Sequence, residues 1–434
     1  MNIESPKPEP FLDDRKALAC VHCGLCLGAC PTYLETGNEN ESPRGRIYLM
    51  RALQSGRLSM NDSSVRHIDL CLGCRACETA CPSGVEYGVL LEATREQIGK
   101  RHRRSIYQGL LRRFAIGQVI PFPARMRLAL WSVSVGRRLG LVKFLPRFLR
   151  DILELLPADV DPVSVPEFLP APKDGHRGRV GFVSGCVMTV LFGATHRATL
   201  GLVNACGYDV VSPLTQVCCG ALDAHGGNLD RAREFARKNI AAFEEADVDV
   251  ILINAAGCGS TLKEYGHLLH ADEAWAERAR RFSAKVRDLT EWLVESIERL
   301  GLAGCGVDGP VTYHDACHLA HPQKITEAPR RLIRAVAGEH YRELVEADVC
   351  CGSAGSYNLT EPEMAGRLGT RKSRNILHCG ALTVVTTNPG CILQIRAGLK
   401  QAGVLEVRVL HIAEFLTEAL QKSGKMSERS GGHA

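Results

Sequence analysis

Short runs of β-branched and aliphatic residues recur through the second half of the chain, each followed by a longer stretch with helical periodicity. The runs fall at 179–185, 248–254, 311–316 and 382–388. Bounded by Gly, Asn and Asp, they read as buried strands. Helices are predicted over 193–206, 230–246, 272–299, 327–337, 362–377 and 411–421. Strand alternating with helix implies α/β units on largely parallel sheets. The first hundred residues look different: a turn at Ser42-Pro-Arg-Gly-Arg46, then helical patterns at 47–53 and 86–99. From 100 to 150, Leu110, Phe114, Trp131 and Phe144 alternate with basic residues, which predicts helices broken at Pro121, Pro123 and Pro146. The expected fold class is α+β multidomain, with a mainly helical N-terminal domain and a duplicated α/β C-terminal part. The expected boundaries are a flexible N-terminus at 1–15, a helical domain at 16–99 and a basic helical segment at 100–155. A Pro-rich linker at 156–178, α/β units at 179–300 and 301–421, and a flexible tail at 422–434 complete them.

The chain has 19 cysteines, and their spacing changes the picture. Two runs, Cys20-x2-Cys23-x2-Cys26-x3-Cys30-Pro31 and Cys71-x2-Cys74-x2-Cys77-x3-Cys81-Pro82, share one pattern. That pattern holds [4Fe–4S] cubes in two-cluster ferredoxins, where the cysteine before proline ligates the other cube. The expected ligand sets are Cys20, Cys23, Cys26 and Cys81 for one cluster, and Cys71, Cys74, Cys77 and Cys30 for the second. Structural zinc, which usually pairs two separated C-x2-C knuckles, is the poorer reading. The N-terminal domain is therefore expected to be a helical ferredoxin domain.

The C-terminal cysteines form a repeat. Cys186, Cys218-Cys219-Gly220 and Cys258 are echoed by Cys317, Cys350-Cys351-Gly352 and Cys391. The gaps before the paired cysteines are 31 and 32 residues, and those from the glycine to the last cysteine are 37 and 38. Such self-similarity implies two copies of one unit. In each copy the first and last cysteines follow strands, where α/β sheets gather ligands. Four thiolates per copy suit a further iron–sulfur cluster or zinc; a dithiol site or buried small hydrophobes are the alternatives. His314, His318 and His225 lie near these cysteines; each is expected to be a surface or core-satisfied histidine, the alternative being that one orients a ligand, relays a proton or meets a quinone. His22 is expected to tune hydrogen bonding beside the first run. Cys206, Cys305 and Cys379 fall outside the motifs and read as structural.

Charge and composition narrow the function. The net charge of +5 hides thirteen Lys or Arg and no Asp or Glu between 100 and 150. A basic, aromatic-bearing helical segment suits an anionic membrane surface or an acidic partner subunit, a solvated basic face over a local core being the third reading. No nucleic-acid module accompanies it. The N-terminus lacks the apolar core of a signal peptide, and no apolar run is long enough to span a bilayer. The thiols then belong in a reducing compartment, and the expected location is cytoplasmic, peripheral on the cytoplasmic face of the inner membrane. No dinucleotide fingerprint, Walker motif, nucleophile elbow or zincin helix is present, so substrate oxidation is expected on another chain.

Two ferredoxin motifs followed by two CCG domains resemble the iron–sulfur subunit of bacterial glycolate oxidase (glycolate dehydrogenase). The resemblance rests on Ala19-Cys-Val-His-Cys-Gly-Leu-Cys26, Ser42-Pro-Arg-Gly-Arg-Ile-Tyr-Leu49, Cys218-Cys-Gly-Ala221, Gly257-Cys-Gly259, Lys263-Glu-Tyr-Gly266 and Cys350-Cys-Gly-Ser-Ala-Gly355. It implies an enzyme subunit with no catalytic residues of its own. It implies two FAD-type partner subunits, with FAD on those partners only, and electrons passing through two [4Fe–4S] clusters to a quinone or another membrane acceptor. Equivalent subunits of lactate or anaerobic glycerol-3-phosphate dehydrogenase complexes, and a heterodisulfide-type reductase, are the alternatives. Thr261 and Gln394 stand where related CCG domains often carry a closing C-x2-C cysteine, which sets this chain apart from the five-cysteine pattern.

Overall fold

A computed structural model describes residues 10–144, 150, 153, 161–172 and 175–426. Its two sheets account for the repeat. The first contains β1 (Phe168–Leu169), β2 (Gly178–Phe182), β3 (Tyr208–Val211), β4 (Val250–Ile253) and β5 (Val286–Asp288), in the order β1-β3-β2-β4-β5. The second contains β6 (Val311–Tyr313), β7 (Tyr341–Arg342), β8 (Thr383–Thr386) and β9 (Arg408–His411), in the order β7-β6-β8-β9. All pairings are parallel except that of β1 with β3. Apart from β1, the two sheets have the same strand order, as a duplication requires.

Each central strand is buried on both faces, which is why it reads as a continuous apolar run. Ile251 and Ile253 of β4 enter one apolar cluster, and Leu252 enters another. Both clusters draw on both sheets, so the repeats share their core. The carboxyl ends of β4 and β8 are tied together directly. Ala256 N donates to Thr387 O at 3.2 Å, and Gly257 N donates to Asn388 Oδ1 at 3.2 Å.

In the first sheet the chain steps from β2 to β3 on one side and then crosses to β4 and β5 on the other; in the second it steps from β6 to β7 and then crosses to β8 and β9. The reversal lies between β2 and β4, and again between β6 and β8. This is where open α/β sheets leave a crevice at the strand carboxyl ends. Cys186 and Cys258, and then Cys317 and Cys391, stand just beyond those four strands, in the first turn of the helices that follow.

The ferredoxin region is helical: Asp14–Leu18, Pro31–Thr36, Pro43–Gln54, Asp62–Asp69, Ala76–Thr79 and Tyr87–Arg101. Pro31 and Pro43 occupy first-turn positions, where a missing N–H is harmless. The domain sits on the cysteine-bearing ends of the repeats. Tyr357 donates to Leu70 O at 2.8 Å, and Arg95 Nη1 to His225 O at 2.9 Å.

Three expectations change. The helix expected over 272–299 is interrupted by β5, because Val286 enters the sheet beside Ile251 and Asp288 starts a new helix through a capping box with Glu291. The described part of the Pro-rich stretch is not a free linker: β1 adds an edge strand, Val163 N donates to Thr189 O and Val165 is buried. At the N-terminus, Phe11 and Leu12 pack against the helical domain, while Asp13, Asp14 and Arg15 are exposed. Leu12 is buried and its N–H donates to Gln54 Oε1 at 2.6 Å. Of the flexible ends expected at 1–15 and 422–434, residues 1–9 and 427–434 lie outside the described residues, as does the break at Pro146, while Lys422 closes a helix and Lys425 N donates to Leu420 O at 2.9 Å.

Candidate metal centres

The two ferredoxin runs adopt the same loop. In the first, His22 and Gly24 flank Cys23 with φ of 56° and 88°; in the second, Gly73 and Arg75 flank Cys74 with φ of 67° and 62°. Left-handed residues on either side of the middle cysteine curl the chain so that successive thiols face one centre. His22 therefore serves the backbone. Its side chain is exposed, and its carbonyl accepts from Arg44 Nη1 at 3.1 Å.

The second run lies deep. Cys30, Cys71, Cys74 and Cys77 are buried and line one small cavity with Arg46 and Tyr87. Cys30, which comes from the first run, is thus brought to three cysteines of the second. Burial, with Cys317 and its fellow thiols nearby, pushes the Cys74 thiol well up; burial and Cys74 do the same for Cys77. Such thiols stay neutral unless a cation takes the proton's place. Tyr87 OH donates to Cys71 Sγ at 3.5 Å, and Gly73 N donates to it at 3.4 Å. The first run is more open. Cys23 is exposed, Cys20, Cys26 and Cys81 are half-buried, and these last three pack against one apolar cluster. Burial raises the Cys26 thiol above its usual range.

Both C-terminal cysteine sets converge. Cys186 Sγ lies 3.6 Å from Cys218 Sγ, and Cys219 reaches both Cys218 and Cys258. In the second repeat Cys317 meets Cys350, Cys350 meets Cys351, and Cys351 meets Cys391. The glycine after each pair is obligatory. Gly352 has φ +94°, and a Cβ there would fall 2.7 Å from Ala365 O; Gly220 has φ +82°, with Ala232 Cα 3.2 Å away. In the first set, hydrogen bonds from Cys186 and Cys219 hold the Cys218 thiol well below its usual range. Beside this set is a cavity of about 280 Å³, lined by Cys186, Cys218, Phe122, Arg127 and Phe235.

The histidines are not alike. His225 bonds Glu92 Oε1 at 3.0 Å and stacks on His318, whose Nε2 donates to Gly73 O at 3.2 Å. These two rings join the second ferredoxin loop to the repeats. His314 departs from expectation: it is fully buried, and neither ring nitrogen has a hydrogen-bond partner among the described residues. Thr261 and Gln394 are structural, since Gln394 Nε2 donates to Ala365 O at 3.0 Å and Thr261 is buried. Sequence reasoning missed Arg46 and Lys372 as site residues. Arg46 lay in plain view inside Ser42-Pro-Arg-Gly-Arg46; Lys372 gave no local signal.

The chain matches the 4Fe-4S dicluster domain family over residues 16–85, and the cysteine-rich domain family CCG over 180–263 and again over 311–396. It is 41% identical over 425 residues to the probable glycolate oxidase iron-sulfur subunit of Bacillus subtilis (strain 168), covering 94% of this chain and 95% of that one. It is 36% identical over 409 residues to the glycolate oxidase iron-sulfur subunit of Escherichia coli (strain K12), covering 93% and 94%. Among solved structures, a hypothetical protein from Helicobacter pylori is similar in fold, with a TM-score of 0.52 at 9% identity over 90% of this chain and 70% of that one. With a helical dicluster region and two CCG units matched along nearly its full length, the chain belongs to the family of glycolate oxidase iron–sulfur subunits.

Proposed function

We propose that this subunit conducts electrons from a flavin on partner subunits to a quinone or similar membrane acceptor, within a glycolate-oxidising complex. The observation that carries the reading is the meeting of Cys30 with Cys71, Cys74 and Cys77 around one cavity. It is the crossed pattern of a two-cluster ferredoxin. Cys20, Cys23, Cys26 and Cys81 hold the first cluster, and Cys71, Cys74, Cys77 and Cys30 the second. A [4Fe–4S] cube at each set supplies reversible one-electron transfer.

The chain's own residues give the path a direction. Cys23 stands at the surface among Leu18, Val21 and Leu25, each at least 60% exposed. This apolar collar suits a docking flavin subunit. The second set lies under the repeats, and Arg46, Arg95 and Tyr87 enclose it. Electrons therefore enter at the first set and leave through the second. Two FAD-type partners are expected, one of which oxidises glycolate to glyoxylate. No described helix is long and apolar enough to cross a membrane, so membrane contact is assigned to the basic segment, at the cytoplasmic face of the inner membrane.

Anaerobic purification should yield about eight irons per chain, the content of two cubes. Cys23→Ser should stop electron flow to quinone while the isolated flavin subunit still reduces an artificial dye. Stoichiometric zinc in place of iron, or full quinone reduction by Cys23→Ser, would end the reading.

A further inference from the structure

The two cysteine-rich repeats turn one face towards different neighbours. In the second, Cys317 and Cys350 pack into one apolar cluster with Leu72, Cys74 and Ala76 of the second ferredoxin loop and with Leu368 of their own repeat. In the first, the equivalent Cys186 and Cys218 pack with Met126 and Phe122 of the basic segment. Phe235 stands where Leu368 stands, three residues beyond the alanine packed under the CCG glycine. On the second repeat this face is taken by the ferredoxin loop; on the first it borders the cavity of about 280 Å³. One copy of a duplicated unit thus receives the electron-bearing loop, and the other turns its thiols to an opening.

The cavity is built like a small-molecule pocket. Its volume lies near the lower end of the usual range of about 300–1,000 Å³, which suits one substituted ring and not a dinucleotide. Phe122 and Phe235, edge to face at 6.3 Å, line it with Val163 and Val165; aromatic walls of this kind stack on a flat ring. The wall is fixed in advance: Gln216 Oε1 accepts from Ser184 N and its Nε2 donates to Ser212 Oγ, both at 2.9 Å. Two exposed residues of opposite character, Leu214 and Arg127, mark the mouth. Arg127 Nη2 donates to Val163 O at 3.1 Å, which holds the guanidinium there with further N–H groups to offer a carbonyl oxygen. Trp131, one helical turn beyond Arg127, is exposed on the same face. A ring ending in carbonyl oxygens and bearing an apolar tail matches this order, ring inside and tail along Leu214 and Trp131. A peptide disulfide, polar along its length, does not.

Resting on the electron-conducting role set out above, we propose that this cavity seats the ring of a lipophilic quinone beside Cys186 and Cys218, and that Arg127 binds one of its carbonyl oxygens. A continuous run of bonds reaches it from the second cluster set. Arg95 Nη2 donates to Cys71 O at 2.6 Å, and Arg95 Nη1 to His225 O at 2.9 Å. His225 lies on the helix Ala221–Gly226, which directly follows Cys218-Cys219-Gly220. The quinone takes the two electrons that glycolate leaves on the flavin, one at a time through the clusters. It takes two protons from water at the mouth and leaves as the quinol.

The test uses the intact complex with decylubiquinone and no vesicles, so that membrane binding plays no part. Arg127→Ala should raise the KM for this quinone about tenfold, as for one lost hydrogen bond to a charged group. Leu214→Trp, which narrows the mouth, should raise it as well. Both variants should keep the wild-type iron content, which reads folding. Leu405→Ser, at an exposed position before β9 of the second repeat, should leave the KM where it was. Photolysis of an azidoquinone on the complex should label the peptides around Arg127 and Leu214, and excess decylubiquinone should suppress the label. An unmoved KM in both variants, label confined to other surfaces, or label displaced by oxidised glutathione and not by quinone would overturn the site while leaving the electron-conducting role intact. A wild-type complex that passes electrons from glycolate to a dye and to no quinone would instead end the acceptor reading itself, and this site with it.

Discussion

Arg46 is among the largest fully buried side chains, and its reason is electrostatic. Burial alone would lower its pKa, but Cys71, Tyr87, Cys30 and Glu41 outweigh that and hold the guanidinium above its usual range. It pairs with Glu41 at 2.7 Å, donates to Thr32 Oγ1 at 3.1 Å and lies 4.0 Å from Cys30 Sγ. A fixed positive charge beside a cluster favours its reduced form. Arg46→Met should therefore lower the potential of the second cluster and leave the first nearly unchanged, as read by an EPR redox titration. It should also destabilise the chain by about 3–5 kcal/mol, because the buried Glu41 loses its guanidinium partner and keeps only His67 Nδ1 at 2.6 Å; adding Glu41→Gln should recover part of this in a denaturation curve. Asp288 provides a pH-dependent case. Burial raises its pKa to about 6 despite hydrogen bonds from Thr290, and its Oδ2 has no partner among the described residues. The folded state thus favours the protonated acid. Stability from this group is full below the unfolded value of about 4 and falls as pH rises towards about 6. Asp288→Asn should flatten that slope and be the more stable form at pH 7, as chemical denaturation across pH 4–7 will read. At this scale the ferredoxin cysteines were legible because their spacing is local. His314 was not, because burial without a partner is a tertiary fact.

Elements were legible where the chain wrote long patterns. The helices Leu229–Glu245, Glu327–Ala337 and Pro362–Cys379 follow their predicted spans, as do β2, β4, β6 and β8, whereas the helix Pro43–Gln54 begins inside the stretch expected to be a turn, with Ser42 as its N-cap and Pro43 in its first turn. What escaped were β1 and β7, of two residues each, together with β3, β5 and β9, which are too short to carry an alternation of their own. Pairing creates them: β3, β5, β7 and β9 each lie beside one of the central strands, and β1 lies beside β3. The capping box at Asp288 was a local sign of the break in 272–299, but the strongly polar helix Ala276–Lys285 beside it masked that sign. The CCG turns show how an element boundary can bear on chemistry. At Gly352 a methyl group would meet Ala365 O at 2.7 Å in a left-handed backbone; at Gly220 the nearest atom is 3.2 Å away. Gly352→Ala should therefore cost more than Gly220→Ala, on the order of 1–3 kcal/mol for the conformation alone, with the steric clash added. Thermal denaturation of the two variants should rank them in that order; equal or reversed losses would show that the Cys350-Cys351 turn relaxes freely.

Across the whole molecule, the ferredoxin domain, the paired repeats and the basic segment are stacked so that one thiol set is exposed and the others are covered. The repeat count and the sheet class could be read from the chain, whereas the docking of Gly73 and Leu70 onto His318 and Tyr357 could not, since those contacts join residues more than 240 positions apart. The basic segment forms a helix Ile106–Leu110 that runs on through Leu111–Val119, and a second helix Pro123–Arg138. It leaves Phe114, Leu128, Trp131 and Phe144 exposed by 58%, 65%, 65% and 86%, and has no acidic residue between 100 and 150. Its Phe122 also lines the cavity beside Cys186 and Cys218, so a surface held by this segment would lie near that opening. A basic, aromatic face of this kind gains about 1 kcal/mol per Lys or Arg close to an anionic bilayer, and loses it as salt shortens the Debye length. The intact subunit should therefore sediment with vesicles containing anionic lipid at low salt and release them as salt rises. It should bind neutral vesicles weakly, and Trp131→Glu with Phe114→Glu should abolish binding while leaving the iron content unchanged. If anionic vesicles are ignored and the flavin subunits instead bind this segment in a salt-sensitive way, the face belongs to the complex and the membrane assignment fails.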